Sequence, residues 1–198
     1  MYVHAWGRAA VRVARGHPPD SMSSAVLPAF AAATLLLAIA GVAKVVSPYA
    51  AQGSLSAAGI NVPPAAVRAL GAGEAALGGA AFLAPGTLAA LAAALAYGGF
   101  CLFTLRLLRV AGDGVDCGCF GGSGSEAGRV HLVLNAVAFA VCLLAVAAPP
   151  RGPAWILEHA PLTTVAICSG VGAAAYAAYL VFTAFPRAWR SYGSGEAS

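Results

Sequence analysis

The chain has 198 residues, 60% of them hydrophobic and 9% charged, with a net charge of +4. A soluble domain carries about 25% charged residues, so this chain cannot cover a globule with charge, and lipid must solvate much of its surface. The basic excess does not argue for a nucleic-acid partner, because Lys44 and the arginines stand beside apolar stretches, where anchoring at the membrane interface accounts for them.

Residues 1–24 read as a flexible basic leader with Arg8, Arg12, Arg15 and His17, and Met22 offers a second start. Leader and following apolar run together imitate a secretory signal, but the run is long for one. Five stretches then reach the about 20 apolar residues that cross a hydrocarbon core: residues 25–46, 65–84, 87–108, 130–148 and 162–185. Prolines punctuate the gaps, at Pro48, Pro63, Pro64, Pro85, Pro149, Pro150, Pro153, Pro161 and Pro186. Each removes a backbone donor and discourages helix continuation. Only Ala84, Pro85 and Gly86 divide the second span from the third. The alternation that barrel strands need is absent, and backbone groups in lipid must pair within a segment. The expectation is an all-α membrane protein, a bundle of about five transmembrane helices over residues 25–186, with a polar tail at 187–198. Small residues recur every four positions at Gly71, Ala75 and Gly79 and again at Ser169, Ala173 and Ala177. Such ridges let helices approach closely.

Five spans put the first loop, the third loop and the C-terminal tail on one side. Lys44, Arg68, Arg106, Arg109, Arg129, His131 and Asn135 all gather towards that face. Snorkelling at helix ends explains the arginines. Glu74 is different, since it lies about two turns inside an apolar span, where a charge costs about 3 kcal/mol. It needs a partner, and Lys44 is the nearest by depth. The pair reads either as a structural tie or as a proton site.

The third loop holds "DGVDCGCFGGSGSEAGR", residues 113–129, with Cys117 and Cys119 one glycine apart. Cysteines at i and i+2 bridge only if the chain bends sharply, and Gly118 permits that. A strained, exposed disulfide is easily reduced, which suits redox exchange better than stapling. Asp116 raises the thiol pKa of Cys117 if it acts at all, so Arg109 or Arg129 must lie close to make a good thiolate. Two rival readings stay open. The thiols can hold Cu(I) or part of a zinc site with His131 as third ligand, although no fourth ligand is evident and no metal is assigned, or they can be incidental to a plain loop.

The string "CGCFG" after a third apolar span, followed by "VHLVLNAVA" in a fourth, resembles the MauE family of methylamine-utilisation membrane proteins. "AGVAKVVSP", "LSAAGINVPP" and "LGAGEAALG" are similar to the first-helix end and second-helix entry of the wider DoxX-like group. The resemblance implies a DoxX-like four-helix core plus one helix, in a multi-pass protein of the plasma membrane. It implies thiol–disulfide exchange through Cys117 and Cys119 with a thioredoxin-like partner, in the maturation of an exported disulfide-containing client, and an association with methylamine metabolism. No cofactor is implied. In that mechanism one thiolate attacks the partner's disulfide and the other cysteine resolves the mixed disulfide, with Glu74 relaying a proton beside Lys44. The competing classes are a passive assembly or scaffold subunit and a metal-handling or transport protein.

Two features remain. Cys142 and Cys168 stand at similar depth, about 10 Å below the opposite face at 1.5 Å per residue, and are a candidate second dithiol. Buried cysteine is otherwise simply a small apolar residue. Basic residues number seven on the CGC side and four on the other, which by the positive-inside rule places the CGC loop in the cytoplasm. The role implied by the resemblance places it outside, where disulfides persist, and that side is preferred.

Overall fold

The computed structural model describes residues 21–112, 118, 129–152, 158 and 161–183. Among these no strand occurs, and six helices follow one another: α1 (Ser21–Val46), α2 (Pro48–Ala57), α3 (Pro64–Leu83), α4 (Thr87–Ala111), α5 (Arg129–Ala147) and α6 (Pro161–Thr183). The narrow gap at residues 84–86 does separate two helices. Val26–Val46, Thr87–Ala111 and Arg129–Ala147 are long and apolar enough to cross a membrane. The five expected crossings are thus reduced to three that meet this criterion within the described residues. In α3 the charges of Arg68 and Glu74 dilute the apolar run.

Proline and glycine set the boundaries. Pro48 cannot donate to α1, and it holds Ser47 away from helical geometry at φ −129°, ψ 80°. The same proline is then preorganised as the first residue of α2. That helix ends in a Schellman motif: Ile60 N–H donates to Leu55 O at 2.8 Å and Gly59 N–H to Ser56 O at 2.9 Å, with Gly59 at φ +79°. Gln52 ties α2 to the next linker, its Nε2 donating to Val62 O at 3.0 Å.

Helix α1 is the centre of the packing. It lies along α3 most intimately and also touches α5, α6 and α2, while α4 pairs with α5 and touches α3. The main core joins Phe30 and Leu37 of α1 to Ala81 of α3, Ala90, Ala93, Ala94 and Tyr97 of α4, and Cys142 and Ala145 of α5. Tyr97 closes it with a polar tie, its hydroxyl donating to Ala33 O at 2.6 Å. Alanine fills most of this seam, so the helices sit close and each added methyl group would be felt.

The α1–α3 seam is built on glycine. A Cβ on Gly71 would lie 2.6 Å from Gly41 O and 2.7 Å from Lys44 Cβ, and one on Gly78 would lie 2.5 Å from Ala38 N. The expected ridge holds at Gly71 and Ala75, since a Cβ on Gly41 would run into Ala75 N, and is corrected at its last member: Gly78 makes the contact, whereas a Cβ on Gly79 would meet nothing within 4 Å. The second expected ridge is misplaced outright. Ser169, Ala173 and Ala177 are exposed, and α6 instead buries Val171 and Ala175.

Candidate functional site

The glycine seam brings Lys44 over Gly71, one turn before Glu74 on the same helix. Lys44 Nζ donates to Glu74 Oε2 at 2.6 Å, and their side chains are only 8% and 5% exposed. The ion pair expected from depth alone is present. Its second carboxylate oxygen, Glu74 Oε1, is buried with no hydrogen-bond partner among the described residues. The Lys44 ammonium also stands 5.3 Å from the centroid of Phe100, within reach of a cation–π attraction. Phe100 is itself held edge-on to Tyr97, with centroids 5.8 Å apart and planes at 88°.

A cavity of about 340 Å³ opens beside this pair, between α1, α2, α3 and α4. Lys44 and Glu74 supply its charged groups, and Ala51, Leu55, Ala96, Phe100 and Phe103 supply apolar walls. Leu70, Leu95 and Gly99 form the exposed rim.

One residue of the third loop packs on α2. Cys117 and Cys119 lie outside the described residues, but Gly118 between them is described and buried. It has φ +65°, in the left-handed region. A Cβ there would lie 2.5 Å from Ser54 Oγ, 2.6 Å from Ala50 O and 2.7 Å from Ala51 Cα. Glycine is thus required twice, by its backbone angle and by the closeness of α2. Ser54 is itself buried, its hydroxyl donating to Ala50 O at 3.0 Å. Ala51 is the hinge of the arrangement, since it meets Gly118 and also lines the cavity.

Arginines fasten the same end. Arg68 Nε donates to Val45 O at 3.3 Å and Arg106 Nε to Ala58 O at 2.9 Å, each taking a carbonyl left over at a helix end. On the paired helices α4 and α5, Thr104, His131 and Asn135 are buried together with the apolar core. His131 and Asn135, four residues apart, share one face of α5. No group of three metal-binding side chains occurs among the described residues.

Cys142 and Cys168 are free and differently placed. Cys142 is fully buried in the main core, whereas Cys168 is exposed on α6, which packs on α1. Equal depth along the bundle does not give these two a shared direction.

Sequence reading missed α2, and with it Ala50, Ala51 and Ser54 as the seat of the loop. The signal was there in Pro48 and Gly59, a proline at a helix start and a glycine just past its end. It also missed Phe100 and Phe103, which nothing but tertiary packing separates from the other apolar residues of α4.

The profile of the family described as methylamine utilisation protein MauE matches residues 22–148. The chain belongs to the MauE family. The match takes in α1 to α5 and the CGC loop, and it stops short of α6. Together with the apolar helices it makes this a multi-pass membrane protein in a lipid bilayer. No curated protein and no solved structure matches the chain.

Proposed function

We propose that this protein is a thiol–disulfide redox protein of the plasma membrane, exchanging electrons between the Cys117–Cys119 pair and a thioredoxin-like partner in the maturation of exported disulfide proteins. The observation that carries the reading is Gly118. Two thiols joined through one residue need a sharp bend held in a fixed place, and a left-handed glycine pressed onto α2 supplies one. In the exchange a thiolate attacks a disulfide sulfur, a mixed disulfide forms as the leaving thiolate departs, and the neighbouring cysteine resolves it. The reaction is reversible, and the relative potentials of the two couples set its direction. Glu74, with one oxygen held by Lys44 and the other open, is the proton relay nearest the loop's seat. Five helices, α1 and α3 to α6, cross the bilayer in this reading, and α2 lies at the face that carries the loop.

The test is substitution of each thiol. Cys117→Ser and Cys119→Ser each abolish exchange while insertion is unchanged, and one of them accumulates a mixed disulfide with a thioredoxin-like protein. An alkylating mass tag added to living cells finds an oxidised fraction of the native pair that shifts with reductant. If both serine variants support maturation of exported disulfide proteins at the native level, the protein is a scaffold and the redox reading fails.

A further inference from the structure

A thiol pair that forms disulfides in other proteins must hand on the electrons it collects, and a membrane protein draws its small partners from the bilayer. We infer that the cavity beside Glu74 binds a lipid-soluble quinone, which accepts two electrons from the Cys117–Cys119 dithiol. This inference rests on the thiol-redox reading above.

Several observations converge on that ligand. The cavity, at about 340 Å³, lies at the lower end of the about 300–1,000 Å³ typical of small-molecule sites, so it suits a ring-sized head group and leaves an apolar tail outside. Its rim residues Leu70 and Leu95 are 51% and 69% exposed, and Leu95 belongs to a helix long and apolar enough to cross a membrane, so a tail leaving the rim there has hydrocarbon to lie in. Phe100 and Phe103 give aromatic walls against which a flat ring can stack. The charged end is already neutralised, because Lys44 is paired with Glu74. A fatty-acid carboxylate would meet the Glu74 carboxylate and be repelled. The missing partner is a donor, since Glu74 Oε1 is a buried acceptor with no partner among the described residues. A hydroquinone hydroxyl supplies that donor, and among membrane-soluble molecules with such a hydroxyl the quinones also carry two electrons.

The chemistry balances. Each thiol of the pair gives up one proton and one electron, and an S–S bond forms. Both electrons and both protons end on the two carbonyl oxygens of the quinone, which become hydroxyls. Glu74 Oε1 receives the hydrogen bond of the hydroxyl nearest it. The loop's seat and the cavity share Ala51, so one wall of α2 separates the pivot at Gly118 from the quinone head.

The experiment uses the full-length protein in lipid nanodiscs, reduced, freed of reductant and kept anaerobic. The probe is a benzoquinone with a decyl tail and every other ring position substituted, so that thiols cannot add to the ring. Hydroquinone is read by ultraviolet absorbance, thiols at Cys117 and Cys119 by mass tagging, and quinone affinity by equilibrium binding of the tritiated probe. One hydroquinone should appear for each Cys117–Cys119 pair lost, and none in Cys117→Ser or Cys119→Ser, which should still bind the probe. Gly99→Phe plugs the rim at a position where a new Cβ meets nothing within 4 Å, so the fold tolerates it, and binding should fall at least about ten-fold. Glu74→Gln made together with Lys44→Met removes the charged acceptor without leaving a buried charge unpaired, and should weaken hydroquinone binding about ten-fold, the loss of one hydrogen bond to a charged group. Undiminished binding to Gly99→Phe overturns the assignment of the cavity. Binding without oxidation of the dithiol, in a preparation that still exchanges with a thioredoxin-type protein, overturns the electron transfer and leaves the redox reading standing. Failure of that exchange itself, with the quinone bound, overturns the redox reading and with it the electron transfer.

Discussion

Replacing Lys44 by Met, Glu74 by Gln, and both together separates the two meanings of the buried ion pair. The side chains are 8% and 5% exposed and joined at 2.6 Å. Removing one partner of such a pair leaves an uncompensated buried charge and costs about 3–5 kcal/mol. That is a large part of the about 5–15 kcal/mol that holds a typical domain together. Removing both partners substitutes neutral groups of similar volume, which is often close to neutral or stabilising. The single variants should therefore unfold early and the double variant should recover, with a coupling energy of about 3 kcal/mol or more. Helicity against denaturant in bicelles reads the stability, and thiol exchange reads the function. If Glu74 relays a proton, the refolded double variant stays slow by about 100-fold or more, the usual weight of general acid–base catalysis. A double variant with native exchange reduces the pair to a structural tie. Single variants that each lose under about 1 kcal/mol would refute the argument at its root, since a pair so cheaply broken is not desolvated.

Other outcomes follow from the same geometry. Gly118→Ala places a Cβ against Ala50 O and Ala51 Cα, backbone atoms that cannot yield, and adds about 1–2 kcal/mol of left-handed strain; the loop should leave α2, seen as a changed maleimide rate at Cys117 and Cys119 with helicity intact. Gly78→Ala forces α3 off α1 and should cost at the upper end of about 1–3 kcal/mol, whereas Gly79→Ala, with open space around its Cβ, should change denaturant midpoints little or raise them. Cys142→Ser puts a hydroxyl into an apolar core and should destabilise by about 1–3 kcal/mol, while Cys168→Ser, at an exposed site, should stay within about 0.5 kcal/mol of native. Mild oxidation followed by proteolysis between α5 and α6 should leave Cys142 and Cys168 unjoined, and the Cys142→Ala, Cys168→Ala variant should keep its exchange activity.

The helices were legible because apolar length and proline punctuation act locally. The boundaries at Pro48, Pro64 and Gly86 are decided by a missing donor or a permissive backbone, and these are properties of single residues. Glu74 was legible for a different reason, since a carboxylate within an apolar span demands a partner and depth along the helix limits the choice. Rotation about a helix axis is not written so plainly. Gly71, Ala75 and Gly79 fit a four-residue ridge as well as Gly71, Ala75 and Gly78 fit the seam that forms, and only the partner helix decides between Gly78 and Gly79. Cys142 and Cys168 meet the same limit: depth is a count of residues, whereas direction depends on which neighbour the helix meets. The short helix α2 was read as a loop because ten residues with one glycine and two serines (PYAAQGSLSA) carry no strong periodicity. Its role is tertiary, as a floor for Gly118 and a wall for the cavity.

The structure also changes the argument about which side the loop faces. The positive-inside rule counts basic residues that meet the lipid surface and the insertion machinery from short loops. Seven basic residues on the CGC side against four opposite points that loop inward. One of the seven is taken out of that count by the fold: Lys44 is buried against Glu74, whereas Arg68 and Arg106 stay exposed although each donates to a backbone carbonyl. Setting Lys44 aside leaves six basic residues on the CGC side and four on the other. The charge count still points the loop inward, by a smaller margin, and the proposed chemistry of the thiols points the other way. The proposed exchange with exported proteins needs an oxidising compartment, so on that proposal Cys117 and Cys119 should stand outside. A membrane-impermeant maleimide added to intact, gently reduced cells should label them at the rate seen after lysis, while a cysteine placed at Arg151 should label only after lysis. The opposite pattern would put the loop in the cytoplasm and restore the full weight of the seven charges.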